Sequence, residues 1–280
     1  MSEHPVRLIG PSDLPPGHPG RAVLTGWTPL IASQADPRFS YCAYVPRGAV
    51  PPSAVPAADA PLIVAVHSTG RDLHMTVAPW VETAEALGAI VVAPLFPAGI
   101  DDPNDLHNYK SIAYRGIRFD LVLLAMIDEA ARRWRFDPRR FLLYGFSGGG
   151  QFAHRFAYLH PHRLKAAIIA APGDITVLRD SRPWPAGTGD VDALFGLSIN
   201  LAELRRLPLR VLVGDRDTDV ATMRPGTSPD DTRLARAAAL TQALARAGLA
   251  AELRVVPGAA HDPAPLAAAA ATMAADLLAG

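Results

Sequence analysis

Short apolar runs punctuated by turn residues recur along the chain, at 62–66, 89–95, 140–146, 166–170, 209–213 and 251–256. They are continuous rather than alternating, which is the pattern of strands buried on both faces of a parallel sheet covered by helices. Between them the apolar period lengthens. Ile117, Leu121, Leu124, Ile127, Ala131 and Trp134 recur every three or four residues, predicting a helix with one stripe on the sheet, ended by Asp137-Pro138. Residues 232–247 repeat the pattern, with Leu234, Ala238 and Leu244 inward and Gly248 as the C-terminal cap. A further strand is read at 39–45, followed by a Pro/Ala loop at 46–61. Strands alternating with helices predict an α/β fold, one mostly parallel, doubly wound sheet flanked by helices.

Two segments fall outside this alternation. Residues 1–38 are rich in Pro and Gly and are expected to form an irregular lead packed on a domain spanning 39–280. Inside that domain the connections 97–116 and 173–208 are too long for simple turns, and the second predicts a short cap-like insertion above the sheet edge.

Composition narrows the function classes. With 27 Lys+Arg against 27 Asp+Glu the chain carries no formal net charge, so it lacks the basic excess that drives binding to nucleic acid or anionic membranes. The single cysteine, Cys42, allows no intrachain disulfide and reads as a buried strand residue. Met1 to Arg7 show no basic stretch leading into an apolar one, so a cytoplasmic location is expected. No run of 18 apolar residues occurs, and the alanine-rich segment 266–278, broken by Thr272 and Asp276, predicts a packed helix. Lysine is nearly absent, with only Lys110 and Lys165, a bias attributed to base composition.

The strongest chemical signal is Gly145-Phe146-Ser147-Gly148-Gly149, which follows a buried strand and precedes a helix predicted at 151–159. In that context the string places Ser147 on a strained turn, its hydroxyl at the carboxyl edge of the sheet, above a helix N-terminus. A phosphate-binding loop is disfavoured, because both the G-x-x-x-x-G-K-[ST] lysine and the G-x-G-x-x-G spacing are missing. A serine hydroxyl attacks only when a base takes its proton. Of the nine histidines, His261 is the candidate, since it lies in the loop after the last strand. An imidazole in turn needs a carboxylate to fix its tautomer. Asp215, Asp217 and Asp219 all follow the strand at 209–213; Asp217 is preferred, with Asp174 a remote fourth. An oxyanion would be held by the backbone N–H of Gly148 and by a donor from the loop His67-Ser68-Thr69-Gly70-Arg71, where Thr69 is the choice. His67 itself reads as a structural residue. His160-x-His162 has the look of metal ligands but no evident third partner.

The order Ser147, Asp217, His261 on alternating strands and helices resembles the α/β-hydrolase superfamily over about residues 39–279. Within it, the stretch from His67 to Asp72 and the run Gly-Phe-Ser-Gly-Gly-Gly-Gln are similar to bacterial esterases grouped with polyhydroxyalkanoate depolymerases. The usual His-Gly pair of the oxyanion loop is here His67-Ser68, so Ser68 takes the glycine position and Thr69 the next. The resemblance implies an acyl-enzyme on Ser147, released by water that His261 activates, with no cofactor or metal; the expected substrate is a small-molecule ester. Two other readings stay open: a peptide or amide hydrolase, and an inactive ligand-binding protein on the same scaffold. Trp184, Phe195 and Leu197 from the cap, with Tyr109 from the other long connection, are expected either to wall an apolar substrate pocket or to fill the core.

Overall fold

The computed structural model describes residues 8–47, 59–221, 223 and 227–279. Met1 to Arg7 and most of the expected loop at 46–61 lie outside the described residues. The strands are β1 (Gly26–Trp27), β2 (Ile31–Ala32), β3 (Ser40–Val45), β4 (Leu62–Val66), β5 (Ile90–Leu95), β6 (Ala113–Tyr114), β7 (Ile117–Arg118), β8 (Phe141–Phe146), β9 (Leu164–Ala170), β10 (Leu209–Gly214) and β11 (Ala251–Val256). The helices are α1 (Gly20–Leu24), α2 (Leu73–Val77), α3 (Val81–Leu87), α4 (Phe119–Trp134), α5 (Gly148–Leu159), α6 (Val191–Phe195), α7 (Leu201–Leu204), α8 (Arg233–Arg246) and α9 (Pro263–Ala279).

The main sheet runs β1-β3-β5-β4-β8-β9-β10-β11, with β2 also on β3. From β5 to β11 every neighbouring pair is parallel, and only β1, β2 and β3 join antiparallel. Helices flank it: α5 and α9 both pack on β8 and β9, and α8 on β10 and β11. This is the mostly parallel α/β sheet that the apolar runs predict. All five residues of β4 and all six of β8 are buried, each large aliphatic side chain so removed from water contributing roughly 1.5–3 kcal/mol.

Three local expectations are corrected. β11 is not buried on both faces: its residues alternate between partly and fully exposed because it is the sheet's edge strand. The helical stripe is displaced only in its first half, since Ile127, Ala131 and Trp134 are buried as expected. Ile117 belongs to β7, paired with Tyr114, so the helix starts only at Phe119. It buries Phe119, Leu123, Met126, Ile127, Ala130 and Trp134, while Leu121 is 49% exposed. The two large side chains at Phe119 and Met126 decide which face turns inward. Finally, the lead is not coil alone. Its strands β1 and β2 cover the free edge of β3, which would otherwise present unpaired backbone groups. Trp134 Nε1 donates to Leu24 O at 2.9 Å, tying the lead to α4.

No helix among the described residues is long and apolar enough to cross a membrane. Gly248 adopts φ +76° just beyond α8, and Cys42 is buried in β3.

Candidate active site

Parallel register brings one end of every central strand to the same edge. Val66 pairs with Gly145, Phe146 with Ala170, and Gly214 with Val256. The segments leaving β4, β8, β10 and β11 therefore emerge side by side, where open α/β sheets bind ligands.

Ser147 stands where β8 turns into α5, at φ +56° and ψ −110°. A non-glycine residue held there stores roughly 1–3 kcal/mol. Its N–H donates to Ala170 O at 2.8 Å and its carbonyl accepts from Gln151 N at 3.0 Å, so both flanks of the turn are pinned. The turn is tight: a Cβ on Gly145 would lie 2.0 Å from Gly149 O, and one on Gly149 would lie 2.2 Å from Val66 O. Only glycine fits either position.

His261 arrives on the loop after β11. Asp215 N–H donates to Val256 O at 3.1 Å and Arg216 N–H to Ala259 O at 2.9 Å, which lashes the loop after β10 to the histidine loop. His261 Nδ1 thereby lies 2.7 Å from Asp217 Oδ2, and its Nε2 lies 3.0 Å from Ser147 Oγ. With Nδ1–H donated to the carboxylate, Nε2 is left to accept from the serine hydroxyl. Phe146, the residue before the serine, tilts its ring over the imidazole at 4.7 Å. The Asp217 side chain is fully buried, and its Oδ1 faces Arg233 Nη1 at 3.5 Å. The other aspartates point elsewhere. Asp219 Oδ1 accepts from Ala221 N, Asp215 is exposed, and Asp174 stands 3.9 Å from Arg155 Nη2.

Gly148 opens α5, where backbone N–H groups have no acceptor within the helix. Thr69 N lies 3.2 Å from where a Cβ on Gly148 would be, so the two amides border one space beside Ser147. Arg71 holds the Thr69 loop, donating from Nη1 to Thr69 O and from Nε to Phe96 O, each at 2.7 Å. His67 is fully buried; its Nδ1 donates to Ser68 O at 2.8 Å and its Nε2 accepts from Phe96 N at 3.0 Å. Burial pushes it down to about 4, a neutral spacer between two loops.

No protein-family model matches the sequence, and no curated protein matches it. Solved structures do. Poly(aspartic acid) hydrolase-1 from Sphingomonas sp. KT-1 superposes with a TM-score of 0.68 at 22% identity, over 84% of this chain and 93% of that one. A poly(3-hydroxybutyrate) depolymerase from Bordetella parapertussis gives 0.67 at 24% identity, over 85% and 88%. An S-formylglutathione hydrolase from Agrobacterium tumefaciens gives 0.58 at 18%, over 86% and 90%. The chain has the α/β-hydrolase fold.

In this α/β-hydrolase fold a cavity of about 860 Å³ opens above the serine, bordered by Ser147, His261, Thr69, Lys110, Gln151 and Arg155 among others. Trp184, Phe195 and Tyr109, expected either to wall the pocket or to fill the core, do not line it and belong with the core. Tyr109 is fully buried behind the site, its hydroxyl donating to His67 O at 3.0 Å. Trp184 and Phe195 pack edge to face at 5.0 Å, with the Arg118 guanidinium 4.7 Å over the phenyl ring. Their apolar surface is consumed by one another and by the core, and Trp184 Nε1 donates to Ser111 O at 2.7 Å.

The wall is polar instead, and its residues were missed. Gln151 and Arg155 follow Ser147 at four-residue intervals, a spacing that places all three on one face of α5. That spacing was the available signal. Lys110 is 6% exposed and donates to His107 Nδ1 at 2.6 Å. Burial first, then the nearby Arg71, Arg155 and Arg233, brings it down to about 8. Of the pair His160-x-His162, His160 Nε2 meets the buried Asp120 Oδ2 at 2.7 Å. Among the described residues no group of three or more His, Cys, Asp or Glu could hold a metal ion.

Proposed function

We propose that this protein is a serine hydrolase that cleaves a carboxylic ester through an acyl-enzyme on Ser147. The observation that carries the reading is the position of His261, within hydrogen-bond reach of Ser147 Oγ at 3.0 Å and of the buried Asp217 carboxylate at 2.7 Å. As Oγ bonds to the ester carbon, Nε2 of His261 takes its proton and the carbonyl π electrons move onto oxygen. Asp217 stabilises the imidazolium that results. The amides of Gly148 and Thr69 receive the oxyanion, each such donor contributing roughly 10²–10³ in rate. Collapse re-forms the carbonyl and breaks the bond to the alcohol oxygen, which leaves with the proton from His261. Water then repeats the sequence on the acyl-enzyme, releasing acid and free Ser147. These side chains and water balance every step, so the scheme calls for no cofactor.

An ester is preferred to an amide because structures that share the fold include a poly(3-hydroxybutyrate) depolymerase and a ferulic acid esterase. The test is hydrolysis of 4-nitrophenyl esters of graded acyl length. Ser147→Ala should lower kcat by at least about 10⁴-fold while circular dichroism stays unchanged. Full turnover by that variant would contradict the proposal.

A further inference from the structure

We infer that the pocket is built for an ester that carries a carboxylate in one of its halves, received by Lys110 and Arg155. The inference rests on the hydrolase reading and names its substrate class.

Four cationic side chains, Lys110, Arg155, Arg233 and Arg236, line the cavity against two carboxylates, Asp174 and Asp231. The chain as a whole is neutral, so this is a local concentration of positive charge. Three of the four, Arg155, Arg233 and Arg236, stand within 4 Å of carboxylates of the protein. Arg236 grips Asp231 with two bonds, Nε to Oδ1 at 2.8 Å and Nη2 to Oδ2 at 2.5 Å, and Arg233 faces Asp217. Lys110 has no carboxylate within 4 Å among the described residues, and its ammonium rests on the imidazole of His107. Asp174, the carboxylate nearest Arg155, stands 3.9 Å away with its own side chain 43% exposed.

Arg155 and Lys110 are also fixed in place. Arg155 is 1% exposed, yet borders the cavity. Its Nε donates to Thr176 Oγ1 at 2.8 Å, and its Nη1 to the Lys110 carbonyl at 2.7 Å, so the two cationic residues are bound to each other's segments. Two like charges held in a poorly solvated wall raise each other's free energy, and an incoming anion relieves both. Burial, and after it the neighbouring arginines, bring Lys110 down to about 8. A planar guanidinium beside an ammonium is a natural receptor for a carboxylate.

The site is close enough to serve the serine. A Cβ on Gly148 would stand 2.8 Å from Lys110 Cε, so the lysine passes directly beside the proposed oxyanion space. Arg155 is two turns of α5 beyond Ser147 on the same face, roughly 12 Å along the axis, and helical side chains lean back toward the N-terminus. A carboxylate a few bonds from the scissile carbonyl fits between them.

The experiment compares mono-4-nitrophenyl glutarate with its methyl ester at pH 7, and 3-butanoyloxypropanoate with its methyl ester, so that the charge is placed in the acyl and the alcohol half in turn. We expect kcat/KM at least 10-fold higher for the charged member of one pair. That ratio should fall toward 1 in Lys110→Met and return in Lys110→Arg. Hydrolysis of both pairs without preference for charge would overturn the inference and leave the hydrolase reading standing. If no ester turns over and Ser147 takes no fluorophosphonate, the hydrolase reading fails. Calorimetry then decides the pocket: binding of the glutarate dianion, weakened in Lys110→Met, supports it, and no binding refutes it.

Discussion

Arg233 Nη1 stands 3.5 Å from Oδ1 of Asp217, on the oxygen that His261 leaves open, and both side chains are buried. The Asp217 carboxylate is thus shared between an imidazole and a guanidinium. The arginine holds Oδ1, which keeps Oδ2 aimed at the imidazole. Arg233→Met should therefore lower kcat in ester hydrolysis by about 10-fold, because the carboxylate that orients the imidazole is free to turn. It should also cost about 3 kcal/mol or more in urea unfolding, because one partner of a buried pair is left without the other. An unchanged kcat in folded variant protein would show that Arg233 has no hold on the orientation of Asp217.

Gly148 offers a separate handle on the oxyanion space. A Cβ there would lie 2.4 Å from Tyr109 Oη and 2.8 Å from Lys110 Cε. Both are far ends of side chains, so Gly148→Ala can be accommodated by shifting them, but the Gly148 amide must move too. We expect kcat to fall by about 10²-fold, the loss of one oxyanion donor, with the protein still folded by circular dichroism. A wild-type kcat would place the oxyanion elsewhere.

Acid stability should follow two buried histidines. His67 is held near 4 and His154 near 3, each by burial, and both start from 6.5. Below pH 6.5 the unfolded chain takes up protons that the native state refuses. Their contribution is complete above pH 6.5 and is lost as pH falls toward 4 for His67 and 3 for His154. For His67 that window is worth about 3 kcal/mol. Urea denaturation at pH 7, 6, 5 and 4.5 should show a steady decline, shallower in His67→Gln. Stability that is flat across this range would contradict the buried neutral state.

The sheet, and the meeting of Ser147, His261 and Asp217 at its edge, were legible because they rest on local patterns. Continuous apolar runs mark β4, β8 and β10, and a glycine-flanked serine after such a run marks a sharp turn whatever surrounds it. Asp217 was separable from Asp215 and Asp219 only as a preference, since the choice depends on Arg216 N–H reaching Ala259 O across two loops. The pocket was the least legible part. Trp184, Phe195 and Tyr109 are large and apolar in long connections, and nothing in the sequence says whether such rings face a cavity or each other. Arg155 carried a signal in its spacing from Ser147, but a charged residue in a helix ordinarily faces solvent. Its burial is set by Thr176 and the Lys110 carbonyl, which are remote in sequence.

Trp184 provides a check on that correction. Trp184→Phe removes the N–H donated to Ser111 O and should cost about 1 kcal/mol in unfolding experiments. The acyl-length profile of ester hydrolysis should be unchanged. A shifted profile would return Trp184 to the pocket wall.

Activation of Ser147 by His261 and Asp217 can be tested without knowledge of the substrate, by fluorophosphonate labelling of the intact protein read by mass spectrometry. One adduct is expected, on Ser147, absent from folded Ser147→Ala and strongly slowed in His261→Ala. No adduct on well-folded protein, or an adduct that persists in Ser147→Ala, would contradict it.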